Sequence, residues 1–202
     1  MQEIRGVGFR RSDRGGSDSP TMTAARNDAL LELRSWLFNR IWPGRYPELE
    51  AAMRNFSRVL ADFQETFLQY AKPQGNKGEL LQTEKFYQIP EWDPPRYDLL
   101  VCRFDKHVDL LQNLMLELTR AANYICDYVR KYIELTFRHN EGVLLVESGP
   151  YAILSPIGLS SILHRAEYRA EERTEAPYPG LEQFKTVSLC RDYCFGRDAS
   201  SD

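Results

Sequence analysis

From Tyr97 to Phe137 the chain carries neither glycine nor proline. Apolar side chains recur there at Tyr97, Val101, Phe104, Val108, Leu111, Met115, Leu118, Ala122, Ile125, Val129 and Tyr132, at every third or fourth position. That spacing predicts one uninterrupted helix over about 95–137, opened by Pro94-Pro95 and roughly 60 Å long at 1.5 Å per residue. So long an apolar stripe must be covered by something, and this requirement constrains the rest of the fold.

Two further helices are predicted upstream. One spans about 24–42, gathers Ala29, Leu30, Leu33, Trp36, Leu37 and Ile41 on one side, and stops at Pro43-Gly44. The next begins at Pro47, with Glu48 and Glu50 in its first turn, and ends near Lys72-Pro73. Its stripe, Leu49, Met53, Phe56, Leu60, Phe63, Phe67 and Tyr70, alternates steps of four and three, as in helices packed side by side at a shallow angle. At roughly 37 Å it covers little more than half of the long helix. The remaining stripe is closed by other parts of the chain, or by a second copy in a homodimer through the long helix, or by a partner.

The connection over 73–97 is long for a loop. Its first part is polar, and its second carries Phe86, Tyr87, Ile89 and Trp92. After His139-Asn140 the period changes. Two β-favouring runs, at 143–146 and 151–154, flank Ser148-Gly149-Pro150 and predict a β-hairpin near 142–155. Leu159, Ile162, Leu163 and Ala166 then fit a short C-terminal helix, and the stretch from Thr174 onward is ambiguous. The expected fold is mainly α: a long-helix bundle of three to four helices with a small β-hairpin and a short C-terminal helix. Residues 1–22 read as a disordered tail, or as an over-extended gene start before Met22, and 23–202 as a single helical domain.

Composition narrows the function classes. The chain has 202 residues and a formal net charge of −3, which gives no global argument for nucleic acid or an anionic membrane. No run of residues reaches the length of a membrane span, and the start lacks the apolar region of a secretory signal. Four cysteines without such a signal read as reduced thiols, so a cytoplasmic protein is expected.

No motif carries catalytic chemistry. Cys190 and Cys194 with His164 upstream lack a second ligand pair, so no metal or other cofactor is expected. His107, in "RFDKH", and His139 read as helix histidines. "ESGP" and "PIGLSS" do not cradle phosphates as a P-loop does, and no serine has a hydrolase setting. Arg120, Asn123, Asp127 and Arg130 share one polar face of the long helix, and Tyr124, Tyr128 and Tyr132 run along one side. Aromatic and arginine side chains are what interfaces favour. The expectation is a non-catalytic module that binds another protein or itself, with Phe86, Tyr87, Trp92, Arg120, Asn123, Asp127 and Arg130 as interface candidates. A nucleic-acid-binding accessory protein using the arginine-bearing face and tail is the alternative.

Overall fold

A computed structural model describes residues 19–75, 78–151 and 160–190. The protein is mainly α, with four helices and two small sheets among these residues.

Helix α1, Ala24–Phe38, is capped by Thr23, whose side chain accepts a hydrogen bond from the Arg26 amide at 3.3 Å. The turn after it contains Gly44 at φ +73°, a conformation that side chains with a Cβ rarely adopt. Helix α2, Pro47–Leu68, opens on its first-turn proline. Helix α3, Pro94–Tyr132, opens on Pro94 and Pro95 behind the Asp93 cap, which accepts from the Arg96 amide at 3.2 Å.

Helices α2 and α3 run antiparallel. Lys131 meets Glu48 at 3.2 Å and Tyr132 stacks on Tyr46 at one end, while His107 meets Tyr70 edge-on at the other. Between the ends, Leu60, Phe63 and Phe67 pack with Leu111, Leu114 and Leu118 in the main core. Burying each such side chain contributes roughly 1.5–3 kcal/mol.

Phe104, Val108, Leu111 and Leu118 are buried as their spacing predicts. Past Leu118 the buried line moves to Ala121 and Tyr124, leaving Ala122, Ile125 and Val129 half-buried. A straight helix has 3.6 residues per turn, so a seven-residue repeat drifts by about 20° per heptad and walks off the buried side.

The connection after α2 is more ordered than a loop. Strands β1 (Thr21–Thr23), β2 (Ala71–Gln74) and β3 (Leu80–Thr83) form an antiparallel sheet in the order β1-β3-β2. Met22 is buried in the core from β1, so the chain is ordered from before that residue. Residues 1–18, the bulk of the expected tail, lie outside the described residues.

The C-terminal third corrects the sequence reading. Strand β4, Leu145–Tyr151, continues through Ser148-Gly149-Pro150, with a break in register between Ser148 and Tyr151, and pairs with β5, Ser160–Arg165. The expected second arm at 152–154 lies outside the described residues, and the segment expected as a helix supplies the second strand. The decisive pattern is alternation: His164, Ala166 and Tyr168 turn inward while Leu163 and Arg165 are exposed, a period of two. A 3-10 turn follows at Ala170–Glu172, and the short C-terminal helix, α4, is instead Leu181–Cys190.

Candidate interaction surface

The polar side of α3 is occupied by the chain itself. The Asn123 side-chain amide donates to the carbonyls of Leu144 (2.9 Å) and Ala166 (2.7 Å), and its Oδ1 accepts from the Leu144 amide at 2.8 Å. Leu144 and Ala166 directly flank the Leu145–Arg165 pair, so Asn123 closes the end of the β4–β5 ladder and fastens it to α3.

Nearly two turns back along α3, Glu117 accepts from the Tyr168 hydroxyl at 2.5 Å, and the same hydroxyl accepts from Asn55 of α2 at 3.3 Å. Burial pushes the Glu117 carboxyl above its usual range, opposed by the Tyr168 hydrogen bond and by Arg120. Arg120 lies 3.7 Å from Glu117 and 3.8 Å from Glu172, with its guanidinium 5.7 Å from the Tyr168 ring. Asp127 is shared between Arg130 (2.5 Å) and Arg173 (3.1 Å). Asn55 also accepts from the Tyr178 amide at 3.0 Å, and the Tyr178 hydroxyl reaches Asp62 at 2.7 Å. Residues 144–151 and 160–178 therefore form a strap across α3 and onto α2, held by hydrogen bonds and ion pairs over the apolar core.

Tyrosines continue along this side. Tyr168 meets Tyr124 edge-on, Tyr124 and Tyr128 share a 2.8 Å hydroxyl hydrogen bond, and Tyr128 stacks on Tyr132, which stacks on Tyr46. Lys131 sits 4.7 Å from the Tyr132 ring and Arg173 5.8 Å from that of Tyr124. The faces that aromatic residues would offer a ligand are taken up by one another.

The aromatic segment before α3 divides. Tyr87 is buried with Phe104 and Val108, and Phe86 packs against them and against Tyr70. Trp92 is 94 % exposed. His164 is half-buried on β5, the Cys190 side chain is not described, and Cys194 lies outside the described residues. Among the described residues, no group of three or more His, Cys, Asp or Glu side chains is placed to hold a metal ion. None of the helices there is long and apolar enough to cross a membrane.

Exposed apolar side chains gather on α1 and the turn behind it, with a smaller group at Ile133, Leu135 and Phe137 past α3. Of the residues expected to face inward, Leu30 packs against the core and Leu37 is buried in it, but Leu33, Trp36 and Ile41 are exposed. Leu31 and Phe38 are exposed too; Phe38 reaches 84 % and Ile41 95 %. The cause lies in the sequence: "LLELRSWLFNRIW" puts apolar residues on both flanks of α1, and one flank is enough to meet the core. The Arg40 guanidinium lies over the Trp36 ring at 4.4 Å, and Trp36 meets Trp42 edge-on. Glu32, Ser35, Trp36, Asn39 and Arg40 line a shallow hollow of about 450 Å³. The mixed composition of α1 was the available signal for this surface, and a single-sided reading of the helix passes over it.

No protein-family model matches this chain, and neither a curated protein nor a solved structure matches it.

Proposed function

We propose that the chain is a non-catalytic, cytoplasmic interaction module that associates through α1 and the turn behind it. The carrying observation is the concentration of exposed large apolar groups at Leu31, Leu33, Trp36, Phe38 and Ile41. Exposed apolar groups gathered in one place mark interaction sites far more than scattered ones do. In this reading the helices act as a bundle that frames the surface, and the buried part of the long stripe serves the core rather than an assembly. The sequence candidates Arg120, Asn123 and Asp127 hold the strap in place, Arg130 pairs with Asp127 beside it, and Trp92 remains as a contact on a second, smaller exposed site. The nucleic-acid alternative has less support, because Arg120, Arg130 and Arg173 each lie beside a carboxylate and are partly neutralised as phosphate ligands.

A photo-crosslinking amino acid at position 38, with a control at position 105, tests the reading in extract of the source cells. Crosslinked protein, of any identity, at 38 and not at 105 is the expected result. Equal or no capture at the two positions contradicts it.

A further inference from the structure

The charges along α1 are arranged to meet a second copy of themselves. Asp28, Glu32, Trp36 and Arg40 follow one another at intervals of four, so they form a single stripe along the helix and its C-terminal turn. All four are exposed. The two acids lie toward the N-terminal end, Trp36 lies in the middle, and Arg40 followed by Arg45 lies toward the other end. Asp28 and Glu32 have no cationic partner among the described residues. Arg40 and Arg45 have no carboxylate partner there and rest instead on the rings of Trp36 and Tyr46. Between Leu33 and Pro47 there are three arginines and no acid. One of them, Arg34, is tied to Glu65 of α2 at 2.7 Å and is not available.

We infer that two copies of the chain pair through α1, antiparallel, about a twofold axis at Trp36. The inference rests on the proposed function and names the partner of that surface. Glu32 and Arg40 lie four residues on either side of Trp36, so the rotation brings Glu32 of each copy to Arg40 of the other. Asp28 is carried toward Arg45 by the same operation. A twofold contact uses the same patch on both copies and must be self-complementary, and an acid end and a basic end about a central aromatic satisfy that condition. Trp36, with Leu33 beside it, supplies the apolar area, and the hollow beside Trp36 receives side chains of the facing copy, while Leu31 and Phe38 lie on the other flank of the helix. Neither an anionic bilayer nor a nucleic acid fits as well, since each would meet Asp28 and Glu32 together with the arginines. The contact is small, so the dimer is expected to dissociate on dilution.

Charge exchange on the full chain tests the pairing. The dimer dissociation constant is measured by sedimentation equilibrium for wild type, Glu32→Arg, Arg40→Glu and the double exchange, with circular dichroism as the check on folding. Each single exchange juxtaposes like charges twice per dimer and is expected to weaken it about tenfold or more. The double exchange restores opposite pairs and is expected to return within about threefold of wild type. A dimer whose double variant is as weak as the singles, or one indifferent to all three, overturns the antiparallel pairing. A wild type that stays monomeric at every concentration overturns it as well. If such a monomer is still captured by another protein at position 38, the docking surface stands and only the identity of the partner falls. If it is not captured there, both fall.

Discussion

The side-chain amide of Asn123 donates to the carbonyl of Ala166 at 2.7 Å, across 43 residues of chain. Its remaining contacts, both to Leu144, give the β4–β5 ladder a last pair made from a helix side chain. Asn123→Leu removes three hydrogen bonds and leaves buried backbone groups unpaired, for an expected loss of about 3 kcal/mol. Urea unfolding checks the size. Hydrogen exchange at the Leu144 amide, fast in the variant and slow in wild type, checks the cause.

The Glu117–Tyr168 contact sets a pH dependence. Burial raises the folded-state value of the Glu117 carboxyl, so the native state keeps a proton that the unfolded chain releases. Its contribution is therefore present in full below the unfolded value near 4.5 and is lost as pH rises through the folded one. Glu117→Gln is expected to remove that decline from a series of urea midpoints. Tyr168→Phe is expected to lower stability by about 1–3 kcal/mol, because Glu117 and Asn55 both lose a partner.

His107 acts in the opposite direction. It is buried beneath Tyr70, and burial lowers its value from 6.5 to about 4. The unfolded chain takes up a proton on this imidazole as pH falls below 6.5, and the native state resists until about 4. Stability is thus expected to fall on acidification through that window. His107→Leu should flatten this limb of the profile, leaving the Glu117 limb exposed. An unchanged midpoint series in the variant contradicts the assignment.

The starts of α2 and α3 were legible in the sequence because Pro47 and Pro94-Pro95 set them locally, whereas all three longer helices stop short of the expected 42, 72 and 137, at Phe38, Leu68 and Tyr132. Burial of Phe104, Val108, Leu111 and Leu118 was legible for the same reason, since periodicity alone specifies it. The small sheet was not. Its strands have three or four residues, one of them includes Pro73, and β1 reaches β3 from across α1 and α2. The strap was hidden for a related reason. Asn123 looks like any polar residue on a helix face, and only a backbone segment arriving from elsewhere makes it an anchor. On α1, the apolar residues of both flanks were readable, but which flank would meet the core depends on the approach of α2.

Gln64 offers a further test of the core. It is fully buried on α2, and neither its amide nitrogen nor its carbonyl oxygen has a hydrogen-bond partner among the described residues. A buried amide of this kind is destabilising relative to an apolar side chain of similar size. Gln64→Leu is expected to stabilise the protein by about 1–2 kcal/mol and to raise the melting temperature by several degrees. A lower melting temperature contradicts the account of this part of the core.

The most direct measurement is the absolute mass in solution, by light scattering on a sizing column, of wild type and Trp36→Asp at matched concentrations. The account predicts a dimer that becomes a folded monomer when the exposed α1 surface receives a charge. A variant that keeps the wild-type mass, or a wild type with the mass of one chain throughout, contradicts it.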